Sequence, residues 1–216
     1  MRSVSAIVVT LATLLLLPFT VQAEVFQEGV DYEVLPQPGK VEVPGKHEVR
    51  EFFWFGCPHC FALEEPLNKW RATLPSDVNF IRTPAPMNDN WVPHAHAFYV
   101  AESLGKLDEI STQLFNALHV KKEKVFTEDQ LATFFTQFGV TDTEFNKLYN
   151  SFAVRVKVRQ AGALTKNYRL RGVPALVVDG KYLVKGRQGQ PQESMFAIVQ
   201  YLLDKERVGA ATKTLQ

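Results

Sequence analysis

Residues 47–60 read His47-Glu-Val-Arg-Glu-Phe-Phe-Trp-Phe-Gly-Cys-Pro-His-Cys60, and this stretch decides the fold. Its first nine residues end in a dense aromatic run, the pattern of a central strand covered on both faces. Gly56 breaks the run. Pro58 fits the first position of a following helix, where a missing N–H is harmless. Cys57 then stands at the helix N-cap, where unpaired backbone N–H groups and the positive end of the helix dipole favour thiolate over thiol. His59 adds a donor, or a charge when protonated.

Residues three apart on a helix have Cβ atoms roughly 5–6 Å apart, and a disulfide needs Cα atoms about 5.5–6 Å apart. Cys57 and Cys60 can therefore close a disulfide without large backbone movement. An environment that depresses the free-cysteine pKa of about 8.5 stabilises the reduced protein and makes the disulfide a stronger oxidant. Cys57, nearer the open helix end, exchanges with a partner. Cys60, one turn in, is the more buried and resolves the mixed disulfide. Other uses of the pair fit less well. A structural disulfide across so short a loop removes little unfolded-state entropy. Zinc needs two more ligands, and beyond this pair only His94 and His96 suggest themselves. Haem attachment wants Cys-x-x-Cys-His, and Phe61 occupies the last place. No metal site is expected, and no cofactor beyond a redox-active Cys57–Cys60 disulfide.

Working outward, Pro58 to about Leu74 reads as a helix with Pro66 inside it, and Val78 to Thr83 as a second buried strand. Upstream, residues 34–46 hold three prolines and two glycines and read as loop and edge strand. Helical patterns follow over 91–104, 107–118, 127–138, 141–151 and 152–166, broken at Gly105, Lys121–Lys124 and Gly139. Pro174 to Asp179, the turn at Gly180 and Lys181 to Lys185 read as a hairpin. A last helix covers about 192–207, with a frayed tail from Val208. The order is β, β, α, β, a helical block, β, β, α. One α/β unit is split by an all-helical insertion. The expected divisions are 24–86 and 166–216 for the α/β part and 87–165 for the insertion.

The first 23 residues stand apart. Met1-Arg2 opens a short apolar stretch ending in Val21-Gln22-Ala23, the pattern of a secretory signal peptide cleaved after Ala23. The apolar run is short for a membrane span. An exported chain lives where disulfides persist. Over the whole chain, 24 Lys and Arg face 23 Asp and Glu, which gives no basic surplus to recommend nucleic acid. Cys57 and Cys60 are the only two cysteines, so no other thiol competes with the pair.

Glu51-Phe-Phe-Trp-Phe-Gly-Cys-Pro-His-Cys60, followed by Phe61-Ala-Leu-Glu-Glu65, resembles the active-site segment of DsbA-type thiol:disulfide oxidoreductases. Arg171-Gly-Val-Pro-Ala175 resembles that family's cis-proline loop, and Asn150-Ser-Phe152 a segment of its helical domain. The resemblance implies a thioredoxin fold with an inserted all-helical domain, in agreement with the element order. It implies a periplasmic oxidase that donates its disulfide to reduced, newly exported proteins and is reoxidised by a DsbB-type membrane quinone reductase; a monomer is expected, because the two-part fold leaves no separate dimerisation region. By the same match Cys57 is the nucleophile and Cys60 the resolving cysteine, with Pro58 and His59 as the tuning dipeptide. Val173 and Pro174 form the substrate-binding loop opposite the disulfide, where a cis bond exposes the Val173 backbone to an extended peptide.

Glu51 matches the family's buried acid. It is placed to relay the Cys60 proton, or alternatively to form a structural ion pair with no catalytic share, and Arg82 on the next strand is its expected charge partner. Glu64, four residues after Cys60, is in position to tune that thiol, although Glu64–Glu65 also reads as a solvated helix face. His47 and His119 suggest no role. A reductase or isomerase on the same fold is the alternative, and a non-catalytic peptide-binding chaperone a more distant one.

Overall fold

A computed structural model describes residues 26–186 and 189–214. The expected signal peptide, residues 1–23, lies outside the described residues. Among the described residues five strands form one mixed sheet in the order β1-β5-β4-β2-β3. These are β1 (Tyr32–Val34), β2 (His47–Phe53), β3 (Val78–Pro84), β4 (Ala175–Val178) and β5 (Tyr182–Val184). Helix α1 (Pro58–Arg71) joins β2 to β3, which pair in parallel. Five helices separate β3 from β4: α2 (Val92–Ser103), α3 (Leu107–His119), α4 (Glu128–Phe135), α5 (Asp142–Tyr149) and α6 (Phe152–Asn167). Helix α7 (Ser194–Thr214) closes the chain. No described helix is long and apolar enough to cross a membrane.

Central strand β2 is buried from Glu48 to Phe53, as its aromatic run demands. Its residues divide by parity, because successive strand side chains point to opposite faces. Val49 packs with Leu63 and Leu67 of α1 and with Ile198 and Leu202 of α7. Phe53 joins the core of the helical block, beside Phe98 and Phe115. On the other face Phe52 meets Tyr168 edge to face, with centroids 5.7 Å apart. Helix starts in the insertion follow local capping chemistry. Thr127 and Gln130 form a reciprocal capping box at α4, while Thr141 and Ser151 cap α5 and α6.

Four boundaries differ from the sequence expectation. Strand β2 stops at Phe53 because the Cys57 N–H donates to the Trp54 carbonyl (3.0 Å), turning residues 54–57 out of the ladder. The edge strand lies at Tyr32–Val34, just before the proline-rich segment, and pairs antiparallel with β5. Residues that follow it include Pro36 and Pro38, which have no N–H for a ladder. The helix expected over 127–138 ends at Phe135 and tightens into a 3-10 turn over Thr136–Phe138. Gly139 at φ +77° then reverses the chain, a conformation that favours glycine. Finally, α7 continues through Thr214 where fraying was expected. No proline interrupts it, and Ala210 and Ala211 carry the strongest helix propensity.

Candidate active site

The turn between β2 and α1 presents Cys57 at φ −84° and ψ 118°, still extended, with Pro58 opening the helix behind it. Both cysteines are free thiols. Cys57 is 7% exposed and Cys60 is fully enclosed, the difference expected from their places on the helix. Pro58 and His59 lie exposed on the outer side of the first turn.

The two sulfurs differ sharply in acidity. Cys57 is held down to about 6, first because the Cys60 thiol donates a hydrogen bond to it. Partial burial opposes this. Cys57 closes no formal cap hydrogen bond, yet the backbone N–H groups of Cys60 and His59 and the His59 charge also favour its anion. The helix start and His59 thus act in the direction the sequence suggests, but the partner thiol is the larger cause. Cys60 is driven strongly upward by burial, by its hydrogen bond to Cys57 and by the negative charges of Cys57 and Glu51. The pair therefore holds one thiolate and one proton, with the proton on Cys60.

The fold brings a distant loop against this pair. The Val173–Pro174 peptide bond is cis, and the Val173 carbonyl oxygen lies 3.4 Å from Cys57 Sγ, within reach of a hydrogen bond from the protonated thiol but not from the thiolate. Strand β4 begins at Ala175, so the loop is anchored by antiparallel pairing to β2.

Glu51 lies beneath Cys60, fully buried. The parallel register sets it beside Arg82, whose Nε donates to Glu51 Oε2 at 2.7 Å. The other end of Arg82 is clasped by Glu64 through both terminal nitrogens. Its guanidinium also rests 4.3 Å from the Phe53 ring centroid. Burial raises Glu51 more than Arg82 lowers it, and Glu64 adds to the rise. Among the described residues Glu51 Oε1 has no hydrogen-bond partner. Glu64 is therefore not part of a solvated face, whereas exposed Glu65 pairs with Lys69.

Several neighbours give no local signal in the sequence. His119 Nε2 donates to the Phe55 carbonyl at 2.7 Å, and its ring stacks on Phe61 at 4.8 Å. Trp54 stacks on Trp91 at 4.4 Å, nearly parallel. A Cβ at Gly56 would come within 2.3 Å of the Trp54 ring, so glycine is what lets Trp54 fold over the turn. His94 and His96 spend their rings on the carbonyls of Val125 (2.6 Å) and Tyr149 (2.9 Å). His47 is bonded to Asp179 at 2.8 Å. Among the described residues, no group of three or more His, Cys, Asp or Glu is placed to hold a metal.

Thiol–disulfide exchange runs fastest through a sulfur that ionises near ambient pH and leaves readily. Here the thioredoxin fold supplies such a sulfur and backs it with a thiol that keeps its proton. The class of protein so defined is the thiol:disulfide oxidoreductases. A model of the DSBA-like thioredoxin domain matches residues 77–195, downstream of both cysteines. The thiol:disulfide interchange protein DsbA of Pseudomonas aeruginosa is 38% identical over 190 residues, covering 88% of this chain and 90% of the relative. That of Burkholderia cepacia is 39% identical over 155 residues, covering 71% and 73%. The crystal structure of the Pseudomonas aeruginosa protein has a TM-score of 0.80 at 38% identity, over 86% of this chain and 97% of that one. DsbA from Xylella fastidiosa has a TM-score of 0.78 at 31% identity, over 87% and 100%. The chain belongs to the DsbA-like thioredoxin-domain family, and it is a protein disulfide oxidoreductase.

Proposed function

We propose that the protein works in the periplasm as a monomeric oxidase of reduced, newly exported proteins, with Cys57 as the exchanging sulfur. In the oxidised protein a substrate thiolate attacks Cys57 Sγ. The Cys57–Cys60 bond breaks, a Cys57–substrate disulfide forms, and the Cys60 thiolate takes up a proton. A second substrate thiolate then attacks the substrate sulfur of that mixed disulfide, and Cys57 leaves as a thiolate. The substrate loses two electrons and the enzyme gains them. The observation that carries this direction is the unequal acidity of the two sulfurs. A Cys57 held down to about 6 leaves readily, and its stability as an anion pulls the protein toward the reduced state.

Around this step the other site residues take supporting roles. Pro58 and His59 set the start of the helix and its field. Val173 and Pro174 offer the extended backbone of the substrate a pairing edge. Glu51, raised by burial and with one oxygen unpartnered among the described residues, passes the proton to and from Cys60. The redox-active disulfide serves as the only cofactor, and a DsbB-type membrane quinone reductase restores it.

Replacing Cys57 with Ser tests the assignment. Oxidation of a reduced, unfolded dithiol protein should fall to the uncatalysed rate. A Cys57→Ser variant that still promoted recovery of that protein would contradict it and favour a peptide-binding chaperone.

A further inference from the structure

The segment from Ser151 to Pro174 carries six basic residues and no acidic one, in a chain whose 24 Lys and Arg and 23 Asp and Glu nearly balance as a whole. Lys157 is paired with Glu102 at 2.5 Å. Arg155, Arg159 and Lys166 of α6 are exposed and make no ion pair with any described residue. These three line one groove of about 580 Å³ between α6 and the start of α2. Its apolar floor includes Pro86, Val92 and Val158, and no carboxylate among the described residues lines it. A charge run is ordinarily a solvated face with counter-charges interspersed. Here the counter-charges are missing and the cations rim an apolar trough instead.

The groove is linked to the exchange site through one side chain at its edge. Val92 follows Trp91, which stacks on Trp54 just ahead of Cys57. At the far end of α6, Arg169 and Arg171 continue the basic series into the groove that holds Val173 and Pro174.

We propose that this groove docks an acidic polypeptide segment carrying alternate apolar side chains, belonging to the thiol protein that exchanges with Cys57. The trough suits an extended chain better than the flat plane of a lipid surface, and its cations suit carboxylates. The inference rests on the exchange reaction proposed above. It adds a preference among partners: acidic sequence near the reacting cysteine raises the rate of mixed-disulfide formation. Complementary charge of this kind accelerates encounter and is screened by salt.

The test uses the oxidised full-length protein and two cysteine peptides that differ only in flanking Glu or Gln. At low ionic strength the Glu peptide should react about 10-fold faster, within the range that electrostatic steering supplies. The advantage should shrink in high salt and vanish in an Arg155→Glu, Arg159→Glu, Lys166→Glu variant. A parallel set of Gln replacements covers the case in which charge reversal prevents folding. Reduction by dithiothreitol should be the same in all folded variants. Loss of that small-thiol reaction in the unaltered protein would defeat the exchange reading itself. An equal rate for both peptides, or a Glu advantage that survives the substitutions, would overturn the groove proposal. So would binding of the groove to anionic lipid vesicles with no peptide preference.

Discussion

At the scale of single residues, the chemistry is a division of one proton between two sulfurs. Cys60, the resolving thiol in the proposed exchange, is also the main reason Cys57 ionises easily. Cys60→Ala should therefore raise the Cys57 pKa above 6, toward that of an ordinary cysteine, read from thiolate absorbance against pH. The linkage has a definite sign. An unfolded cysteine titrates near 8.5 and Cys57 near 6. Its thiolate therefore stabilises the folded, reduced protein in full only above about pH 8.5, and this contribution declines below that and is lost as pH falls through 6. His94 gives a second pH effect. Burial depresses it from 6.5 to about 4. The unfolded chain then binds the extra proton first, so stability is full above pH 6.5 and is lost as pH falls toward 4. The difference amounts to about 3 kcal/mol. A His94→Gln variant, which keeps a donor for the Val125 carbonyl, should lose this part of the acid sensitivity in urea unfolding at pH 7 and pH 4.

At the scale of elements, β2 and α1 do most of the positioning, and much of this is legible in sequence. The aromatic strand, the glycine break and the proline-opened helix sit together in one stretch, so the Cys57–Cys60 geometry follows from local rules. The Glu51–Arg82 pair is also expected, since an acid in a buried strand needs a counter-charge on a neighbour. Glu64 is misjudged when paired with Glu65 as a solvated face, because only the packed sheet shows that the Cys60 side of α1 is covered. His119 meets the active-site turn from 64 residues away, and no local pattern announces such a contact. The isomer of the Val173–Pro174 bond likewise depends on tertiary context. Arg82 holds two carboxylates, one of them fully enclosed. Removing one partner from a buried ion pair costs about 3–5 kcal/mol. Arg82→Met should destabilise the protein by roughly 3 kcal/mol at pH 7 on that basis. The loss should be smaller near pH 5, where the stranded carboxylates can protonate, as denaturant unfolding at the two pH values would show.

At the scale of the whole molecule, the inserted helices and the sheet share one apolar core around the redox pair. Cys57, Cys60, Phe53 and Phe55 belong to the same buried cluster as residues from α2 to α6. The cysteines are thus embedded where the two parts of the fold meet, and the return loop at Val173 closes over them. Both cysteines are free thiols within this core, which leaves them available for the exchange proposed above. In the proposed function the fold favours the reduced, Cys57-thiolate form and so makes the disulfide oxidising. An equilibrium redox titration of the full protein against glutathione, with Cys57 thiolate absorbance followed across pH, measures this directly. The expected result is an oxidising couple and a thiolate midpoint near pH 6. A strongly reducing potential together with a Cys57 that titrates like free cysteine would contradict it.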